Sequence, residues 1–199
     1  VIDLEHSVID LKKCQNLIRI CNLKGIECLV RLSCDSDVEI KKVLDMGADG
    51  IIVPMVNSLS QANEIVKNVF YPPKGRRGMG LARAQMYGEN FEKNLKKSRK
   101  IKLIVQFEHI DVLNCYEDIL SIEEVSGFMI GPYDFTASMG LAGEFENPIF
   151  LKHIKDIEKA NKKYKKIQGF HLIDPDKEKF RQLLSKNYDF IVYSLDTKH

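Results

Sequence analysis

Four residues that can take part in carbonyl or metal chemistry stand at the ends of short apolar stretches of strand length. They are His6, Arg31, Glu108 and Asp134. If the stretches are parallel strands, their carboxyl ends open onto one face, where residues distant in the sequence converge. The spacing therefore predicts an active site on that face.

Glu108 and Asp134 follow strands that should be neighbours, so their carboxylates could lie close together. Carboxylate oxygens suit Mg²⁺ or Mn²⁺, with water and substrate oxygens completing an octahedron. Either residue alone could equally cap a helix or pair with a nearby base. Two carboxylates at matched strand ends favour a metal site.

Arg31 follows a fully apolar run, where an unpaired guanidinium would be costly to bury. It must therefore meet an anion, either a protein carboxylate or a substrate. His6 stands in a D-x-E-H motif with Asp3 and Glu5, and a carboxylate could orient its ring and raise its basicity, although a structural histidine is the alternative. Asp45 lies near the end of a predicted helix, where its charge opposes the helix dipole and calls for a partner.

The composition predicts one domain over residues 1–199. With 44% hydrophobic and 29% charged residues, the chain can form one sizeable core and shows no sign of disorder. The formal net charge is only +2. The lysine-rich segments 93–102 and 159–166 are interpreted as solvated helix faces, so neither a nucleic acid nor an anionic membrane is predicted as a partner.

Cysteine usage favours a reducing cytoplasm. The five cysteines are odd in number, include no C-x-x-C pair and stand mostly in apolar settings. No apolar run approaches the roughly 20 residues of a membrane span. The first residues also lack a charged-then-apolar leader pattern, so we expect neither anchorage nor secretion.

Strand-like and helix-like segments alternate along the chain. Periodicity predicts strands at 1–6, 26–32, 50–56, 102–108, 127–130, 166–172 and 189–194. It predicts helices at 11–23, 37–46, 58–70, 91–99, 111–120, 148–164 and 175–186. The connection over 71–90 is rich in proline and glycine and too long for a simple turn, which indicates a functional loop.

This alternation indicates parallel βαβ units. Because the chain begins inside an apparent strand and no helix follows the last one, we expect a (β/α)₈ barrel that lacks strand 1 and the terminal helix. The 199 residues would then be less than the whole protein. An open doubly wound sheet is the alternative, but the sequence contains neither of the common glycine-rich nucleotide-binding motifs.

Seven segments resemble the HpcH/HpaI aldolase/citrate lyase family, specifically its metal-dependent (class II) pyruvate aldolase branch, which acts on substrates such as 2,4-dihydroxyhept-2-ene-1,7-dioate and 2-keto-3-deoxy-sugar acids. VPMV, YPPxGxRGxG and GPxDxxxxMG in this order are highly specific. In order, the segments are IDLEH (2–6), VR (30–31), KKVLDMGADGIIVPMVNS (41–58), YPPKGRRGMGLARAQMYG (71–88), VQFEH (105–109), GFMIGPYDFTASMG (127–140) and SLDT (194–197).

The resemblance implies a phosphoenolpyruvate/pyruvate-type barrel that cleaves 4-hydroxy-2-oxo acids to pyruvate and an aldehyde. It implies Mg²⁺, Mn²⁺ or Co²⁺ as cofactor, and a homo-oligomer, either a trimer or a hexamer built as a dimer of trimers. It also assigns residues: Glu108 and Asp134 to the metal, Arg31 to pyruvate, His6 to catalysis with Asp3 and Asp45 as its acidic partners, and Gln106, Gly131, Pro132, Tyr133 and Asp134 to the substrate pocket.

The predicted chemistry needs no lysine Schiff base. Lys102 and Lys166 stand at strand starts and so at the opposite face from the predicted site. The metal and Arg31 would stabilise the enolate formed when the C3–C4 bond breaks, and His6 would take the proton of the C4 hydroxyl.

The chain departs from the family pattern beside the ligand positions. His109 and Tyr133 are bulkier than the usual residues and could reshape the aldehyde pocket, or simply pack. In the long connection, Arg83 and Tyr87 are candidates for the rim of the site. Two rival functions stay open: a lyase acting on a coenzyme A thioester, of the citrate lyase β or malyl-CoA type, and a non-catalytic barrel subunit.

Overall fold

Short parallel strands alternate with helices throughout the described chain. The computed structural model describes residues 1–194 of the 199. The chain divides into a first unit, residues 1–54 and 60–103, and a second unit, residues 55–59 and 104 onward. The single domain expected over 1–199 stays a prediction.

The first unit holds three paired strands, β1 (Ile2–Asp3), β2 (Leu29–Arg31) and β3 (Gly50–Val53). β2 pairs in parallel with both of the others. All four residues of β3 are buried, as expected for a parallel strand covered on both faces. Its short apolar run is therefore core rather than surface.

Helices connect these strands and begin or end at recognisable residues. Asp10 caps the first helix by accepting the backbone N–H of Lys13 at 2.7 Å. Gly47 follows the second with φ +92°, a conformation that favours glycine. The four helices are α1 (Leu11–Leu23), α2 (Asp37–Asp45), α3 (Leu59–Val69), which starts at the unit boundary, and α4 (Phe91–Ser98).

The second unit carries most of β4 (Lys102–Phe107), with β5 (Gly127–Ile130), β6 (Ile167–Leu172) and β7 (Phe190–Tyr193). These strands pair in parallel in chain order. Between them lie α5 (Tyr116–Ser121), α6 (Pro132–Ser138), α7 (Pro148–Tyr164) and α8 (Lys177–Ser185), with a short 3₁₀ helix at Ile110–Asn114.

The predicted parallel α/β alternation is confirmed, and it is the order found in part of a (β/α) barrel. Two strand ends were placed too late: β1 stops at Asp3 and β3 at Val53. Pro54 has no N–H to continue the ladder after β3. Helix α6 was not predicted, because its seven residues are too few to show a helical period.

The predicted connection over 71–90 is largely irregular, with one 3₁₀ helix at Arg83–Gly88. Of the SLDT motif, only Ser194 is described, and residues 195–197 lie outside the described part of the chain. Within residues 1–194, every helix is too short or too polar to cross a membrane.

Candidate active site

Glu108 follows β4 directly and is almost completely buried, with 1% of its surface exposed. Its Oε1 accepts the backbone N–H of Met55 at 2.6 Å, and its Oε2 accepts a hydrogen bond from the side-chain amide of Gln106. Donors on both oxygens hold a carboxylate in one orientation. Glu108 thus has both side-chain oxygens fixed by hydrogen bonds directly after a strand, where the sequence predicted a carboxylate.

Gly131 lies against Glu108 because β4 and β5 are in register, with Phe107 opposite Ile130. The Gly131 N–H donates to the Phe107 carbonyl at 3.1 Å. A Cβ built on Gly131 would stand 2.9 Å from both Cβ and Oε2 of Glu108. Only glycine therefore allows this close approach, which accounts for its place in the GPYD segment.

Asp134 lies in the first turn of α6, three residues after Gly131, and its side chain is exposed. Within the second unit, the strand register places Glu108 beside Gly131. Gly131 directly precedes α6, and the first turn of α6 carries Asp134. The two carboxylates predicted as metal ligands belong to adjacent strand ends, as the sequence indicated.

The residues around Glu108 fit a divalent cation. Gln106 is 1% exposed, and its Oε1 has no hydrogen-bond partner within the described chain, so a buried oxygen lacks a donor or cation. Oxygen donors of this kind suit a hard cation. Residues 1–194 hold no group of three or more His, Cys, Asp or Glu side chains placed to bind a metal.

Arg31 ends β2 in the first unit and is buried, with 6% of its side chain exposed. Its Nε and Nη2 donate to the two oxygens of Asp3 at 2.8 and 2.6 Å, a bidentate pair, and Nη1 lies 3.3 Å from Glu5 Oε2. Asp3 and Glu5 thus supply at least part of the negative charge that the sequence predicted beside Arg31. Such a planar pairing fixes the guanidinium at the strand end.

Asp3 owes its ionisation to this pair. Burial alone would raise the pKa of Asp3, but the hydrogen bond and charge of Arg31, with backbone N–H groups of Glu5 and His6, hold the pKa below its usual value. The carboxylate is therefore charged at neutral pH, and Arg31 and Asp3 stabilise each other.

Acid should therefore weaken the first unit. A carboxyl group whose pKa is lower in the folded state gives stabilisation that is complete above its unfolded pKa, about 3.9, and is lost as pH falls through the folded value. We expect the unfolding free energy, measured with urea between pH 7 and about pH 2, to fall below about pH 4. The fall should be smaller in Asp3→Asn; an identical acid dependence would contradict this role of Asp3.

His6 lies on the surface, with 64% of its side chain exposed and its Nε2 3.8 Å from Glu5 Oε2. The family resemblance implied Asp3 and Asp45 as its acidic partners. In the structure Asp3 holds Arg31, and Asp45 accepts a hydrogen bond from Arg77 at 2.7 Å. The carboxylate beside the imidazole in this unit is that of Glu5.

Two of the residues predicted for the rim make hydrogen bonds with other residues of the chain. Arg83 donates to Asn22 Oδ1 at 3.0 Å and to the Met46 carbonyl at 2.5 Å, which places it at the amino end of β3 rather than at the carboxyl end. His109 caps the following 3₁₀ helix through Nδ1, which accepts the Asp111 N–H at 3.2 Å. Their assignment to the rim stays a prediction.

The two tyrosines differ in their surroundings. Tyr87 is 72% exposed and has a left-handed backbone, φ +54°. Tyr133 packs edge-on against Phe145 at 4.7 Å, and its hydroxyl lies 3.2 Å from Asp174. Tyr133 is thus tied to the loop after β6, immediately before Asp134 in the chain.

Three contributors to these clusters were not predicted. Arg77, in the long connection, is 2% exposed at its side chain and stacks over the Tyr71 ring at 4.5 Å. Met55 acts through its backbone, which no residue pattern reveals. Glu5 was noted only as a neighbour of His6, and it lies beyond the end of β1, where strand alternation does not predict the direction of a side chain.

A model of the HpcH/HpaI aldolase/citrate lyase family matches residues 1–199. The chain belongs to this family. It is 37% identical over 150 residues to the hydroxypyruvate/pyruvate aldolase of Agrobacterium fabrum, an alignment covering 74% of this chain and 56% of that protein. It is 34% identical over 162 residues to the 2-keto-3-deoxy-L-rhamnonate aldolase of Escherichia coli, covering 79% of this chain and 59% of that protein.

The fold agrees with a solved member of the family. The crystal structure of an HpcH/HpaI aldolase/citrate lyase family protein from Burkholderia cenocepacia superimposes with a TM-score of 0.92 at 25% identity, covering 99% of this chain and 79% of that one. The chain spans less than two thirds of the two curated aldolases named above.

Proposed function

We propose that this protein is a divalent-metal-dependent aldolase that reversibly cleaves a 4-hydroxy-2-oxo acid to pyruvate and an aldehyde. The observation that carries the proposal is the buried, doubly hydrogen-bonded Glu108 beside Gly131 and the Asp134 turn. The names of the relatives, both aldolases, support the same class of reaction.

Glu108 and Asp134 would hold the cation. Mg²⁺, Mn²⁺ and Co²⁺ all accept two carboxylates with further oxygen ligands. When bound, the cation would supply a Lewis acid that stabilises negative charge on the oxygens of the 2-oxo acid. Gln106 would line the same site, and the segment from Gly131 to Asp134 would bind the pyruvate carboxylate.

The remaining roles belong to residues of the first unit. Arg31 would pair with the pyruvate moiety, in which the electron pair of the breaking C3–C4 bond becomes an enolate. His6 would accept the proton of the C4 hydroxyl as the aldehyde forms, and a proton delivered to C3 would then complete pyruvate. Asp3 and Glu5 would set the position of Arg31, and Glu5 the orientation of the imidazole.

We further propose that the whole protein is a homo-oligomer built from (β/α)₈ barrels and works in the cytoplasm. The fold of the described residues, with its parallel strand order, supports the barrel. Five cysteines with free thiols support a reducing compartment.

The test is metal-dependent pyruvate release. The full-length protein, stripped with a chelator, is given 4-hydroxy-2-oxobutanoate with and without Mg²⁺, Mn²⁺ or Co²⁺, and pyruvate is followed with lactate dehydrogenase. We expect release only when a metal is added. Absence of release across several 4-hydroxy-2-oxo acids, together with cleavage of malyl or citramalyl thioesters, would overturn the proposal.

A further inference from the structure

Met55 is a non-glycine residue held in a left-handed conformation, with φ +53°. It follows Pro54, where β3 has ended, and its side chain is 41% exposed. An L-residue pays a steric penalty in this conformation, so it persists only where the surroundings require it. The cause should therefore lie in what the backbone of Met55 contacts.

The Met55 backbone contacts the candidate metal ligand. Its N–H donates to Glu108 Oε1 at 2.6 Å. The next N–H, of Val56, donates to the Gln106 carbonyl at 3.3 Å, and the Asn57 carbonyl accepts from Cys115 Sγ at 3.3 Å. The segment 55–57 is thus fastened to β4 and the residues after it by three successive backbone groups.

We propose that Met55 is a positioning residue for the metal site: its left-handed backbone aims the N–H at Glu108 and fixes the direction in which the carboxylate meets the cation. The inference rests on the proposed function, because it takes Glu108 as a metal ligand. Gln106 holds the other carboxylate oxygen, so the two donors together determine the rotation of the group.

This role depends on the backbone and not on the thioether, which makes a pattern of substitutions diagnostic. Met55→Gly keeps the N–H and tolerates a positive φ at least as well as methionine. Met55→Val keeps the N–H but disfavours a positive φ through its β-branch. Met55→Pro removes the donor and fixes φ near −65°.

The experiment is a calorimetric titration of the metal-stripped full-length protein with Mn²⁺, with circular dichroism to confirm folding of each variant. We expect Met55→Gly to bind as the wild type does, and Met55→Val and Met55→Pro to bind about 10- to 100-fold more weakly, the usual cost of losing a group that orients a metal ligand. Met86, also left-handed at φ +49° but in the first unit, offers a matched control: Met86→Val should leave the Mn²⁺ affinity unchanged.

Each other outcome overturns one specific claim. Equal weakening in Met55→Gly and Met55→Val would show that the side chain matters and reject the backbone role. Wild-type affinity in Met55→Val and Met55→Pro, with binding lost in Glu108→Ala, would reject the role of Met55 alone. Unchanged affinity in Glu108→Ala would reject the metal site of the proposed function.

Discussion

Replacing Glu108 by alanine should reduce metal-dependent pyruvate release by about 100- to 1,000-fold, the range found when one preorganised charge-stabilising group is removed from an active site. The carboxylate is buried, and each of its oxygens accepts a hydrogen bond. Alanine has no oxygen that could take its place. Steady-state kinetics at saturating Mn²⁺ would measure the loss in the chemical step. Calorimetry would measure the loss of Mn²⁺ affinity separately.

A second variant separates chemistry from folding. Glu108→Ala leaves the Met55 N–H and the Gln106 amide without their acceptor, which costs about 1–3 kcal/mol of stability in a buried site. Glu108→Gln keeps the size and one acceptor oxygen but removes the charge, so it should fold and yet bind Mn²⁺ poorly. Glu92→Ala, at an exposed position of α4, is the matched control and should behave as the wild type. Normal Mn²⁺ binding by Glu108→Gln would contradict the assigned role.

The candidate metal ligands Glu108 and Asp134 could be proposed from the sequence because they follow two neighbouring parallel strands. A parallel strand places its last residues at a known edge, and Glu108 directly follows β4, two positions after Gln106. Gly131 lies beside Glu108 because β4 and β5 pair in register, with Phe107 opposite Ile130. Local periodicity and the order of elements were enough to propose Glu108 and Asp134, whereas Gln106 and Gly131 were implied by the family resemblance.

The partners of Asp45 could not be found in this way. A compensating cation was predicted from the helix dipole, but Arg77, 32 residues away, is brought to it by an irregular connection whose path follows no periodic pattern. The same connection carries Arg83 to the Met46 carbonyl at the end of α2, a contact that the local sequence did not predict. Loop side chains are fixed by tertiary contacts and not by local propensity.

Met55 illustrates a different limit. The residues VPMV predicted a strand through position 56, because methionine and valine are compatible with one. The chain instead turns at Pro54 and adopts a left-handed residue so that an N–H can reach Glu108. A methionine with φ above zero carries no compositional signal, so this contact is visible only in three dimensions.

Arg31 should be intolerant even of lysine. Its guanidinium makes a bidentate pair with Asp3 and a third contact with Glu5, and a lysine ammonium cannot reproduce that planar fork. Arg31→Lys is expected to lower the unfolding free energy. Arg31→Met should lower it by about 3–5 kcal/mol, the cost of stripping the partner from largely buried carboxylates.

The proposed contact with pyruvate adds a second effect. For Arg31→Lys, assayed in the direction of aldol addition, we expect the KM for pyruvate to rise by about 10-fold or more. A rise of this size corresponds to the loss of one charge-assisted hydrogen bond. Arg76→Lys is the matched control, because the Arg76–Glu64 pair is exposed on both sides and should contribute little to stability. A lower unfolding free energy with an unchanged KM for pyruvate would limit Arg31 to a structural role, since the pair with Asp3 would then account for all of its burial.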